Sequence, residues 1–412
     1  MNNHVHSTYS FSPYSPSQLA VMAWKSGLQA VGIMDHDSYA GAAELRAACR
    51  ILGIASTCGG ELRVNARGTF MENRLINNPD SPGIFYIALH GIAERNYHTV
   101  QQFLAPIHRA RNTRNRRQLE KLNTIIRKSF PRRNNLSLNF QSDVYACSQA
   151  ARGGSITERH ILAALARKLM AIFPNRQRLT ALLEEEFSIS IDASMRSYLE
   201  NEENPHCFYD LIAVLKHSLL PLFYIQPDES ECIGAARAVN FARSIGAIPA
   251  YAYLGDITHS PTGDKPAARF EDSFLTELFE QLHVWGFQAL TFMPPRNSKK
   301  QLMRIMELCR EYNLLQISGV DVNSSRQSFR CPELLSPEFE HLNTTTWALI
   351  AHEKLYNYNT ELGFFSPFIM RNIPDVTERL NLFSRIGRDM DRRKPDLSQA
   401  EHNIRTYIQG ES

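Results

Sequence analysis

The sequence lacks any CxxC pair, and its seven cysteines (Cys49, Cys58, Cys147, Cys207, Cys232, Cys309, Cys331) are odd in number and scattered over 412 residues. That excludes a disulfide framework and a thiolate zinc site, and implies reduced thiols in a cytoplasmic setting. Long apolar runs are also missing. The most apolar stretch, residues 211–225, is broken by Lys216 and His217 and is shorter than the roughly 20 residues that span a bilayer. No basic-then-apolar leader opens the chain. Charge of one sign is scarce: 45 Lys and Arg against 42 Asp and Glu leave a net charge of +3. The protein as a whole is therefore not marked as nucleic-acid binding, and any basic partner surface must be local. With 43% hydrophobic and 21% charged residues, collagen-like, disordered and coiled-coil chains are excluded. What is left is a soluble, cytoplasmic enzyme with no membrane attachment and no evident obligate protein partner.

Short apolar segments alternate with helical periods. Strands are expected at 4–6, 30–34, 54–61, 84–90, 247–253, 287–292 and 314–318. Helices are expected at 15–24, 41–52, 231–245, 271–285 and 298–312, with Gly27, Gly53 and Gly246 as stops. Strands joined by helices point to parallel pairing and right-handed crossovers. The segment after Glu61 carries Gly68, Pro79, Pro82 and Gly83 and reads as a loop or hairpin. Between His90 and Glu231 the alternation stops and helices are expected at 97–130, 157–173, 176–187 and 195–199. This divides the chain into a barrel's first part (1–93), a helical insertion (94–228), the barrel's second part (229–330) and a mostly helical C-terminal extension (331–412).

His4 and His6 lie two apart on a strand, so both side chains leave one face and can chelate one divalent cation. Asp35, His36 and Asp37 follow the second strand directly. Glu61 ends the third expected strand and His90 the fourth. Asp321 and Asn323 follow the last, in Ser318-Gly319-Val320-Asp321-Val322-Asn323. In a closed βα barrel all strand C-termini meet at one mouth, where barrel active sites lie, so a distorted seven-stranded α/β barrel accounts for these positions better than an open sheet. Each polar residue alone can equally cap a strand or turn. As a set, mixed imidazole and carboxylate donors suit Zn²⁺, Mn²⁺ or Fe²⁺ better than Ca²⁺, with Mg²⁺ a further option. A carboxylate such as Glu61 can also bridge two ions about 3.5–4 Å apart.

The opening HVHSTYS, the segment LQAVGIMDHDSYAG, Glu61, His90 and the closing SGVDVN resemble, in order and spacing, the motifs of the polymerase and histidinol phosphatase (PHP) superfamily. The resemblance covers about residues 3–92 and 229–325, and more weakly the segment Ser155-Ile156-Thr157-Glu158-Arg159-His160. It implies a distorted seven-stranded TIM-like barrel with one to three divalent metal ions and phosphoesterase activity by a metal-activated water. It places His4, His6, Glu61 and Asp321 in a first metal site and Glu61 with His90 in a second. His36 falls in a third, or contacts phosphate, and Arg159 and His160 become phosphate clamps. Three departures accompany it. Phe11 stands where an Asp is usual, Tyr253 where the fifth strand usually ends in a ligating His, and Asn323 where the last motif usually ends in His. Asp256, His259 or Asp264, in the loop after the fifth strand, are candidate replacements.

The implied substrate is a phosphomonoester, a nucleotide or a short oligonucleotide. From Glu94 to Arg133, 11 Lys and Arg stand against Glu94 and Glu120. Such a helix can steer a polyanion to the mouth or can simply be a solvated face. Few aromatics interleave these cations, which argues against a single-strand stacking platform. The alternative readings are a non-catalytic metal- or ligand-binding barrel, prompted by Phe11, Tyr253 and Asn323, and an amidohydrolase-type metal hydrolase, which also opens with HxH after strand one.

Overall fold

The computed structural model describes residues 1–130, 134–256 and 269–410. The chain starts as two βα units. Strand β1 (Asn2–Val5) leads to α1 (Pro16–Lys25), where Ser15 and Gln18 form a capping box. Strand β2 (Ala30–His36) leads to α2 (Ala42–Leu52), which Gly53 ends in a left-handed conformation at φ 71°. Strand β3 (Ala55–Asn65) then pairs parallel to β2, with His36 opposite Glu61. Glu61 therefore does not end its strand, because β3 continues four residues further.

Strand β4 (Ile84–His90) differs from the parallel expectation. It runs antiparallel to β3 and to β6 (Ile248–Ala252), with Tyr86 opposite Arg63 and His90 opposite Ile248. The reason lies in the connection. Residues 66–83 turn back at the mouth without a crossover helix, so the next strand must descend. His90 consequently ends its strand toward the far end of the barrel. From there α3 (Tyr97–Ser129), at 33 residues, carries the chain back. At 1.5 Å per residue it spans about 50 Å. Its start is tied to the far end by Asn96 Nδ2 donating to Ile245 O, and its middle to the mouth by His108 Nε2, 2.6 Å from Asp37 O.

The segment that follows contains α4 (Glu158–Ile172), α5 (Arg176–Phe187), α6 (Ala193–Glu200) and α7 (Cys207–Phe223). The last of these was not among the expected helices. These helices share a hydrophobic core of their own, including Leu122, Ile161, Leu165, Leu211 and Phe223. The barrel resumes with the two-residue β5 (Ile233–Gly234), α8 (Ala235–Ser244), β6, α9 (Leu275–Trp285), β7 (Ala289–Phe292), α10 (Lys299–Glu311) and β8 (Leu315–Ser318). Strand order is β1-β2-β3-β4-β6-β7-β8, with β5 beside β3. The two outer strands are joined through residue 322. His6 N donates to Val322 O at 2.9 Å, and Val322 N to His4 O at 3.2 Å. This closure makes the sheet a TIM-like barrel.

Two layers pack on the sheet. Outside, Val31, Ile33, Leu62 and Leu290 meet Leu19, Leu45, Leu278 and Ile305 of the surrounding helices. Inside, at the strands' starts, small residues Ala88, Ala250 and Ala289 leave room for α11 (Glu340–Tyr358). Behind it lie α12 (Pro367–Asn372), α13 (Val376–Asp389) and α14 (Leu397–Gln409). Gly387 permits the close crossing of α13 on α11, since a Cβ there would sit 2.0 Å from Trp347 O. The C-terminal helices thus stop the barrel's lower end, leaving the opposite end open. No helix among the described residues is long and apolar enough to cross a membrane.

Candidate metal centre

The open mouth gathers side chains from four separate segments. His4 and His6 leave the end of β1, His36 ends β2, Glu61 lies on β3, and Asp321 follows β8. His4 Nε2 is 3.8 Å from Glu61 Oε1, His6 Nε2 is 3.2 Å from Asp321 Oδ1, and His36 Nδ1 is 2.7 Å from Glu61 Oε2. The rings of His6 and His36 are 4.4 Å apart. His4, His6 and Glu61 each present a ligand atom within 4.8 Å of the others, and all three are buried.

Burial and neighbouring charge set the protonation of this cluster. Burial lowers the pKa of His4, and His6 beside it adds to that, against the pull of Glu61 and Asp321. His36 is pushed well below the ordinary value by burial and by His6. Burial also disfavours charge on His6, but Asp321 and Glu61 outweigh it and raise its pKa. Burial opposes ionisation of Asp321, yet His6 and His4 hold it well below the usual carboxylate range. The nitrogens His6 Nε2 and His36 Nδ1 are buried and make no aligned hydrogen bond despite their near carboxylates. Buried polar atoms normally have partners. Imidazoles and carboxylates aimed at a common point, with nitrogens left over, fit a divalent cation.

A supporting layer fixes the first motif. Asp35, fully buried, accepts from Ser7 N and Ser7 Oγ at 2.6 Å each and from Ser10 Oγ at 2.7 Å. Ser10 Oγ also lies 3.4 Å from His6 Nδ1. Asn323 Nδ2 donates to Asp321 Oδ1 at 2.8 Å, so Asn323 holds the carboxylate that faces His6.

The structure separates other candidates from this centre. His90 is buried on the descending strand with Nε2 unpartnered, and it joins no close group of three donors among the described residues. Burial, with His4 nearby, pushes its pKa down to about 3. His160 turns inward: its Nδ1 accepts from Thr157 N at 3.0 Å at the start of α4, and its ring packs edge-on against Phe11 at 5.0 Å. It serves the helix start and does not line the cleft. Asp256 accepts from Phe270 N at 2.7 Å through Oδ1 and is likewise absent from the lining. His259 and Asp264 lie outside the described residues. Arg159 does line the cleft.

Three cations in the lining were not singled out from sequence: Arg63, Lys216 and Arg296. A signal existed for each. Arg63 is two residues beyond Glu61 and so shares its strand face. Lys216 interrupts an apolar helix. Arg296 lies in the loop after β7, a usual phosphate-binding region in βα barrels. The basic helix, read from sequence as either a steering surface or a solvated face, is partly inverted. Arg111 and Arg114 of α3 are buried, and with Arg63 they converge on Glu231. Arg111 Nε and Arg114 Nε are 2.9 and 2.6 Å from its oxygens, and Arg63 contacts it directly. Arg114 also pairs with Glu158 at 2.6 Å, and Arg111 with Asp37.

A family model for the PHP domain matches residues 2–220. No curated protein matches the chain. A provisionally assigned metal-dependent phosphoesterase from Bifidobacterium adolescentis shares the fold at a TM-score of 0.51 and 16% identity, over 81% of this chain and 93% of that one. An amidohydrolase from Chromobacterium violaceum, solved with bound sulfate and no metal, aligns at a TM-score of 0.51 and 15% identity, over 83% of this chain and 95% of that one. At such identities the likeness is one of fold.

Proposed function

The chain belongs to the PHP domain family, and from that premise we propose that it hydrolyses phosphate esters, a divalent cation being held by His4, His6, Glu61 and Asp321. The observation that carries this reading is the convergence of His4, His6 and Glu61 within 4.8 Å, with Asp321 3.2 Å from His6. Fold kinship with a metal-dependent phosphoesterase supports a metal-dependent hydrolase. A cation bound there supplies Lewis acidity and brings water within reach of ionisation near neutral pH, where free water has a pKa of about 15.7.

The chain's own groups do the rest. Arg159, at the start of α4, engages the phosphoryl oxygens through its guanidinium fork. His36, beside Glu61, enters as a neutral imidazole and either adds a ligand or contacts the phosphate. Asp35 keeps Ser7, Ser10 and through them His6 in place. Hydrolysis puts the oxygen of water on phosphorus and breaks the ester P–O bond, with a proton passing to the departing alcohol. Arg159 and Arg296 in the cleft lining favour an anionic substrate, a phosphorylated small molecule or a short nucleic acid.

The test is a panel of sugar phosphates, nucleoside mono- and bisphosphates, short oligonucleotides and p-nitrophenyl mono- and diesters, run with Mn²⁺, Zn²⁺, Fe²⁺ and Mg²⁺, with amides and lactones as controls. Metal-stimulated release of phosphate or alcohol is expected. Turnover of amides or lactones alone would replace this reading by the amidohydrolase one. Bound metal without any turnover would replace it by a binding module.

A further inference from the structure

Among the described residues, most positions at which a second or third ion would need a donor are apolar or committed elsewhere. Phe11 is apolar and belongs to the helical core, edge-on to His160 and to Tyr209 at 6.2 Å. Tyr253 donates its hydroxyl to Asp272 Oδ1 at 2.5 Å. Asp256 is occupied by Phe270 N, and Asn323 by Asp321. His90 sits on a descending strand, opposite Ile248, and joins no close group of three donors among the described residues. Among the described residues, the group able to hold a metal is His4, His6 and Glu61, joined by Asp321.

Phosphoryl transfer nonetheless rewards more than one positive charge, since the non-bridging oxygens carry the charge that must be neutralised. The cleft offers one from another source. Arg296 follows β7 and lines the same cleft as Asp321 and Asn323. Arg63 and Arg111, by contrast, are tied up with Glu231. Among the described residues, no hydrogen bond or ion pair engages the Arg296 guanidinium. Half-buried Arg296 is close enough to help hold the Asp321 carboxyl ionised, and with no aligned partner of its own its guanidinium is left to meet an anion in the cleft.

We propose that this centre takes a single divalent ion and that Arg296 supplies the second positive charge at the substrate. The role of Arg296 rests on the phosphoester reading; the ion count does not. The full chain, stripped with chelator, is titrated with Mn²⁺ and the bound metal is counted after desalting. One ion per chain is expected in the wild type, and none in His6→Ala. Two or three per chain would overturn the single-ion centre. Inorganic phosphate is then titrated calorimetrically into the Mn²⁺-loaded protein. Arg296→Met should keep one ion yet weaken phosphate by about tenfold or more, with Arg296→Lys recovering part of the loss, as expected for removal of a charge-assisted contact. Undiminished phosphate affinity in Arg296→Met would overturn the role of Arg296. A wild-type protein that binds one ion but no phosphate would sink the phosphoester reading and the Arg296 role with it, leaving the ion count standing.

Discussion

Two charged clusters meet at the barrel mouth and are built on opposite terms. In one, Arg63, Arg111 and Arg114 surround Glu231, with Glu158 and Asp37 completing the set. Its three cations face three anions, and it stitches β3 and the segment before β5 to α3 and α4. In the other, His4, His6, His36, Glu61 and Asp321 crowd together with two imidazole nitrogens left without aligned partners. Both are buried. The first sets guanidinium groups against carboxylates, although both Asp37 oxygens and one Arg111 nitrogen still lack an aligned hydrogen bond, whereas the second sets imidazole nitrogens against carboxylates. Neither burial of charge nor an unaligned polar atom therefore marks a functional site by itself; metal-binding donor types gathered at one point do.

Removing a partner should hurt the first cluster's stability and the second's chemistry. Glu231→Ala leaves three buried guanidinium groups short of a counterion. A loss of about 3–5 kcal/mol is expected, the range for breaking a buried ion pair from one side. Urea unfolding with calorimetry as a second probe measures it, and a loss under 1 kcal/mol would mean that the network is not holding the helices to the barrel. In the second cluster, His6→Ala and Asp321→Asn should each lower kcat/KM for the best ester by at least about 10²-fold, near 2.7 kcal/mol. Their unfolding midpoints without metal should stay close to wild type. Retained activity in a stable variant would remove the residue from the site.

Acid should separate the clusters further. Burial works against ionisation of Glu231, but Arg63, Arg111 and Arg114 depress its pKa to about 2. Its stabilising contribution is therefore complete above the unfolded value near 4.5 and is lost as pH falls toward 2, a span worth roughly 3 kcal/mol. Glu271 carries the opposite sign. Burial raises it to about 7 although Leu254 N and Tyr251 Oη donate to it. Its contribution is complete below about 4.5 and is lost as pH rises through 7. Glu271→Gln should flatten the fall in stability between pH 4.5 and 7, and Glu231→Gln the fall below pH 4.5. Unchanged pH profiles in both variants would refute the assignment.

The smallest effect concerns neighbours on one helix. His160→Ala should cost about 1 kcal/mol, the usual value of a helix N-terminal contact, and leave kcat/KM within twofold. Arg159→Met should raise KM for esters while leaving thermal stability unchanged. If instead the His160 variant lost activity and the Arg159 variant did not, their roles would be exchanged.

Ligand chemistry could be read from the chain because it needs particular atoms. His4, His6, Glu61 and Asp321 are the residue types that bind hard and borderline cations, and strand period placed His4 and His6 on one face. The barrel followed from where those residues fall relative to apolar strands. Other features have no such local signature. The direction of β4 was set by a connection that returns at the mouth, and that direction carries His90 down to the end closed by α11. Arg63 and Arg296 are ordinary cations in sequence, as common on surfaces as in sites.

Residue identity and spacing alone thus pointed to the donor types, the alternation of strands and helices, and the family. Tertiary structure decided which donors share a point, which arginines are already matched by carboxylates, and that His160 braces a helix while Arg159 reaches the cleft. The division has a physical cause. Coordination preference and side-chain period act over a few bonds, whereas strand direction, burial and the pairing of charges are settled only when segments hundreds of residues apart are packed together.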